Sequence, residues 1–184
     1  TPADYTVEGD WSQAAFFAVM DATGGQVSLT GLNPDSQQGD RAILGQIQQM
    51  RGESRTIDIS DCPDLGPVLT VLAALSRGRT HIIGAGRLRI KESDRIEAME
   101  TELRKLGVTI ASTDDTITVE GSSIHWNGEP LWGHNDHRIV MALSAALLHG
   151  DRPVVIDGAQ AIEKSFPTFF EKLSSLGIKL EIQP

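Results

Sequence analysis

Between Arg87 and Arg95 the chain reads Arg-Leu-Arg-Ile-Lys-Glu-Ser-Asp-Arg, and this block runs directly into a helical pattern. Arg87, Arg89, Lys91 and Arg95 are gathered there in a protein whose formal net charge is -9. Such a concentration in an acidic chain points to an anion, and the start of a helix, with its free N–H groups and dipole, favours one at the same place. Glu92 stands beside Lys91, so a carboxylate able to move a proton adjoins a cation able to steady charge. Arg95 offers a planar fork for a carboxylate or a phosphate. The plainer reading is that Glu92, Ser93 and Asp94 complement a helix N-terminus. Spacing alone leaves the two readings level.

Three more places carry residues of the right type. Asp64 follows Pro63 ahead of an apolar run, the pattern of a helix cap. Asp136-His137-Arg138 stands before another apolar run, where Asp136 reads as a cap and the His-Arg pair as surface. Lys164 precedes Pro167, which suits a first helical turn, and on its own reads as a solvated lysine. His81, His125, His134 and His149 show no ligand spacing and read as structural or exposed. Cys62 reads as a small buried filler, and no metal site is expected.

Repeated elements must position these groups. Trp11–Met20, Leu65–Leu75 and Ile139–Leu148 are apolar nearly all round, as buried helices are. Each follows an acidic cap candidate (Asp10, Asp64, Asp136) and ends at a glycine turn (Gly24-Gly25, Gly78, Gly150). Short alternating segments follow at Gln26–Thr30, Thr80–Ile83 and Pro153–Ile156, predicting strands. Amphipathic helices are predicted over Asp40–Met50, Asp94–Leu106 and Pro167–Leu176, with Asp94 and Glu97 spaced as a capping-box variant. A strand pair, Val108–Ala111 and Thr116–Val119, turns at Asp114-Asp115. The unit is thus βαβαββ, repeated at about 6–58, 59–124 and 131–184. It predicts one α+β domain over 1–184, pseudo-threefold, with buried helices central and sheets outside. Between Met50 and Thr56 the first unit has room only for a short link where the second carries a whole hairpin.

Composition sets bounds. With 184 residues, 40% of them hydrophobic and 22% charged, the chain suits a globular domain. The acidic balance argues against nucleic acid and anionic membranes. One cysteine rules out a disulfide framework, and no apolar run reaches the ~18 residues of a membrane span. A monomer in the cytoplasm is the expectation.

Lys91-Glu92-Ser93-Asp94-Arg95, Asn135-Asp136-His137-Arg138 and Lys164-Ser165-Phe166-Pro167, in this order, resemble the C-terminal half of the shikimate-pathway enolpyruvyl transferases, the enolpyruvylshikimate-phosphate synthase family. Val7-Glu8-Gly9-Asp10 and Cys62-Pro63-Asp64 fit the same family. The resemblance implies two similar domains, of which this chain looks like the C-terminal one, with the N-terminal domain as its partner. It implies the substrates phosphoenolpyruvate and shikimate 3-phosphate, reaction by addition and elimination, no cofactor, and glyphosate as the inhibitor of the phosphoenolpyruvate subsite. It assigns Asp64 to the base that binds and deprotonates the shikimate hydroxyl, Glu92 to the proton shuttle and Lys91 to charge stabilisation. Arg95, Arg138 and Lys164 then hold the phosphoenolpyruvate anion, with His137 as a neighbour. Because the remaining donors lie on the other domain, the isolated chain is expected to be catalytically silent. Other readings are a phosphate-binding module without chemistry, the related UDP-N-acetylglucosamine enolpyruvyl transferase, and a structural domain whose charged motifs are caps.

Overall fold

Asp10 begins the first helix as its pattern predicts. Its backbone is extended, at φ -83 and ψ 109, and its carboxylate accepts from the N–H groups of Ser12 and Gln13. In the computed structural model, which describes residues 6–50, 53–150 and 152–183, α1 runs Trp11–Ala22. It stops at Gly24-Gly25, where Gly24 takes φ +117 and the Gly25 N–H returns to the Met20 carbonyl. The strand expected at Gln26–Thr30 does not form; these residues are irregular and mostly exposed. A strand needs a neighbour, and the hairpin that would supply one is what the short first unit lacks. The helix expected over Asp40–Met50 becomes a tight turn at Gly39–Ala42 followed by α2, Ile43–Gln49. Arg51 and Gly52, within the short link, lie outside the described residues.

The second unit is complete. It comprises β1 (Ser54–Asp58), a turn at Pro63–Leu65, α3 (Gly66–Leu75), β2 (Gly78–Ile83), a turn at Gly86–Ile90, α4 (Arg95–Lys105), β3 (Thr109–Ser112) and β4 (Ile117–Gly121). The sheet order is β1-β2-β4-β3, parallel at β1/β2 and antiparallel elsewhere. Ser54–Asp58, counted above with the first unit, therefore pairs into the sheet of the second. Its inner face buries Ile57, Ile82, Ile110, Ile117 and Val119. The third unit is reduced: β5 (Leu131–Trp132), α5 (His137–Leu147), β6 (Ile156–Asp157) and α6 (Phe169–Ser175), with β5 and β6 pairing in parallel.

Three buried helices, α1, α3 and α5, touch one another in the centre, as the repeat predicts, while the strands lie outside. Phe16, Leu69, Val71, Ile139 and Leu143 belong to this single core, each fully buried. Burial of each such side chain stabilises by roughly 1.5–3 kcal/mol. Consequently the N-termini of α3, α4 and α5 are fixed by helices that cannot shift without opening the core. No described helix is long and apolar enough to cross a membrane.

Two glycines should respond oppositely to the same substitution. Gly78 has φ +83, and a Cβ there would lie 1.6 Å from the Glu53 carbonyl oxygen. Gly78→Ala should destabilise by about 2–4 kcal/mol. Gly45, in α2, has nothing within 4 Å of a built Cβ, so Gly45→Ala should stabilise by about 0.5–1 kcal/mol. Chemical denaturation of both variants measures the contrast.

Candidate functional site

Arg95 opens α4 just inside the Asp94 cap, whose carboxylate accepts from Glu97 N–H at 3.0 Å. Its side chain turns inward and is only 3% exposed. Nε donates to Asp136 Oδ2 at 2.7 Å, Nη2 to Asp136 Oδ1 at 3.2 Å and Nη1 to Asp64 Oδ1 at 2.9 Å. Asp136 is fully buried, caps α5 by accepting from Arg138 N–H at 2.9 Å, and accepts from the Ser93 hydroxyl at 3.0 Å. The cap reading of Asp136 holds, with a second task added.

Asp64 departs from the expected cap. It sits within the turn Pro63–Leu65, ahead of α3, and caps nothing. Instead its carboxylate gathers three cations: Arg95, Lys91 Nζ at 3.1 Å and Arg138 Nη2 at 3.4 Å. Burial alone would raise its pKa, but Arg138, Lys91 and Arg95 outweigh that and hold it below the usual aspartate range. Asp136 is likewise held low despite burial, chiefly by Arg95. The cluster therefore sets Lys91, Arg95 and Arg138 against two ionised carboxylates, leaving one positive charge in excess.

A second group adjoins the first. His137 Nδ1 lies 3.1 Å from Glu92 Oε1, and Lys164 Nζ lies 3.6 Å from Glu92 Oε2. Lys164 falls in the turn Ala159–Lys164 and also donates to the Asn135 carbonyl. The expected helix start at Pro167 shifts to Phe169. Glu92, Asp136 and His137 place one ligand atom each within 4.8 Å, a spacing open to a metal ion. Asp136 is already saturated by Arg95, Ser93 and a backbone N–H, so a metal would have to break the buried pair.

All seven expected residues thus converge, Asp64, Lys91, Arg95 and Arg138 around one carboxylate and Glu92, His137 and Lys164 around another. Two members of the opening block do not join them. Arg89 bonds Asp94 and the carbonyls of Thr113 and Asp114, tying the β3–β4 turn, and Arg87 is exposed. Cys62 is buried, accepts from Gln46 Nε2 at 3.3 Å, and has its thiol pushed up by burial, in keeping with a small buried filler. Two residues were missed. Asp40, only 8% exposed, accepts from the Ser12 hydroxyl and has a raised pKa, first from burial. Glu102, treated below, lies on the buried face of α4. Its signal was legible: a glutamate seven residues after Arg95 falls on the same helix face.

A family model described as EPSP synthase (3-phosphoshikimate 1-carboxyvinyltransferase) matches residues 1–173. The 3-phosphoshikimate 1-carboxyvinyltransferase of Clostridioides difficile (strain 630) is 41% identical over 194 residues, covering 97% of this chain and 44% of its own length. That of Clostridium acetobutylicum is 44% identical over 187 residues, covering 94% and 44%. The solved EPSP synthase of Acinetobacter baumannii matches with a TM-score of 0.83 and 30% identity over 97% of this chain and 48% of that one. The enolpyruvyl transferase NikO from Streptomyces tendae, at TM-score 0.68 and 19% identity, shares the fold. The chain spans about half the length of the curated relatives it matches. The C. difficile alignment is longer than the 184 residues here, so that relative carries residues within this span that the chain lacks.

Removing Arg95 should be costly because Asp136 stays buried without its cation. Arg95→Ala should destabilise by about 3–5 kcal/mol. The pH dependence has a definite sign. Folding lowers the pKa of Asp64 and Asp136, so their contribution is complete above the unfolded aspartate value, near pH 4, and is lost as pH falls through the folded values. Denaturation midpoints between pH 6 and pH 3 should fall steeply for the wild type and less steeply for Asp136→Asn.

Proposed function

Because the chain belongs to the EPSP synthase family, we propose that it supplies one half of the active site of a 3-phosphoshikimate 1-carboxyvinyltransferase. The whole reaction transfers the enolpyruvyl group of phosphoenolpyruvate to the hydroxyl of shikimate 3-phosphate and releases phosphate. The observation that carries the reading is the convergence of Lys91, Arg95 and Arg138 on a single carboxylate, with Glu92, His137 and Lys164 alongside.

In this arrangement Asp64 holds the place of a substrate anion. Phosphoenolpyruvate carries a carboxylate and a phosphate, and both compete with Asp64 for the same cations. Arg138 is better placed to exchange than Arg95, because its contact to Asp64 is longer and it lacks the Asp136 anchor. As the ligand takes Arg138 and Lys91, Asp64 loses the charges that keep its pKa low. Its basicity rises when a hydroxyl is at hand to be deprotonated. Attack of that oxygen on C2 of phosphoenolpyruvate needs a proton delivered to the methylene carbon. Glu92, on the open side at 38% exposure, delivers it and recovers a proton as phosphate departs. Lys164 and His137 flank Glu92 and steady its charge. The N-terminal domain closes the other side and excludes water. Glyphosate would take the phosphoenolpyruvate positions, and the working compartment is the cytoplasm.

Titration of the isotope-labelled chain with phosphoenolpyruvate tests the reading. Amide shifts should centre on Lys91–Arg95 and Arg138, and a flat response would contradict an anion site. Asp64→Asn removes the internal competitor and should bind phosphoenolpyruvate about fivefold more tightly or better. Weaker binding would contradict the exchange, because the part Asp64 plays in holding the cations together would then outweigh its competition with the ligand. Neither protein should release phosphate from phosphoenolpyruvate and shikimate 3-phosphate on its own.

A further inference from the structure

Glu102 lies two turns beyond Arg95 on α4, about 10 Å along the helix axis. Its side chain is 1% exposed, a rare place for a carboxylate unless it is paired. Oε2 accepts from Lys105 Nζ and from the Trp132 backbone N–H, both at 2.9 Å, and Oε1 pairs with His134 Nε2 at 2.9 Å. Burial alone would raise its pKa, but His134, Lys105 and the Trp132 N–H outweigh that and hold it below the usual glutamate range. An ionised carboxylate only accepts, so Nε2 of His134 carries the hydrogen. Lys105 also donates to the carbonyl of Pro130, the residue just before β5, at 3.1 Å, which extends the attachment.

The segment so held has an unusual backbone. His134 and Asn135 have φ of 50 and 53, the only non-glycine residues among those described with positive φ. Two successive left-handed residues are strained and persist only where their surroundings hold them. Glu102 holds His134, whose ring also stacks on Trp132 with centroids 4.2 Å apart, and Lys164 donates to the Asn135 carbonyl. The next three residues are Asp136, His137 and Arg138. The direction in which α5 enters the site is therefore set by this left-handed pair.

We propose that Glu102 is a positioning residue that locks the His134–Asn135 turn and thereby sets the register of Asp136, His137 and Arg138. It rests on the anion-site reading given above. α4 grips the β5–α5 connection at two points, Arg95 on Asp136 and Glu102 on Trp132 and His134. The second grip keeps the turn in place while Lys91 and Arg138 exchange Asp64 for a ligand. Glu102 touches none of the groups expected to meet phosphoenolpyruvate.

The test titrates the wild type, Glu102→Gln, His134→Ala and His134→Gln with phosphoenolpyruvate while recording imidazole 15N signals. The wild type should show His134 with its hydrogen on Nε2, and Glu102→Gln should lose that signature. Affinity should fall about tenfold in Glu102→Gln, the scale seen when an outer partner that orients a binding group is removed. His134→Ala should share that loss, and His134→Gln, which restores an N–H donor toward Glu102, should recover most of it. The two His134 variants decide the matter should Glu102→Gln fail to fold. Unchanged affinity in Glu102→Gln or His134→Ala, whatever their melting temperatures, overturns the positioning role and leaves the anion site standing. A wild-type chain that takes no phosphoenolpyruvate overturns both.

Discussion

The buried guanidinium of Arg95 joins three parts of the molecule that sequence separates widely. Through Asp64 it holds the turn before α3, through Asp136 it holds the first turn of α5, and its own backbone begins α4. A charge this deep is tolerable only when it is paired and hydrogen-bonded, and two carboxylates take three bonds from it. The ends of three helices are thus fixed by one side chain, while the apolar bodies of α3 and α5 fix the helices themselves. The site is positioned by the core and oriented by the ion network.

That network also explains how a cluster of like charges persists without a ligand. Lys91, Arg95 and Arg138 repel one another, and Asp64 relieves the repulsion from within. An internal counter-ion keeps the cations assembled in the free protein, and on the proposed function that is preorganisation of the kind that electrostatic catalysis depends on. The same contact holds the basicity of Asp64 down. In the proposed mechanism binding and base activation are one event, because both draw on Lys91 and Arg138.

Much of this was legible in the chain and some was not, for identifiable reasons. The caps at Asp10, Asp94 and Asp136 are local signals, read from a few residues, and each forms as predicted. Asp64 carries the same local pattern but is taken by cations from α4 and α5, a contact that sequence spacing does not encode. Gln26–Thr30 has the alternation of a strand, yet pairing is decided by a neighbour that the short link after α2 does not provide. Arg87 and Arg89 belong to the conspicuous charged block and serve the surface and the β3–β4 turn. Glu102 shares the buried face of α4 with Arg95, but it belongs to no charged motif, and its only sequence signal is the helical spacing that buries a charge.

The most direct measurement is a 13C titration of the Asp64 side-chain carboxyl, with and without saturating phosphoenolpyruvate. If Asp64 is the internal anion, its midpoint starts below the ordinary aspartate range and moves upward when ligand takes Lys91 and Arg138. A midpoint that stays low at saturation would contradict the exchange, because the cations would then still be bound to Asp64.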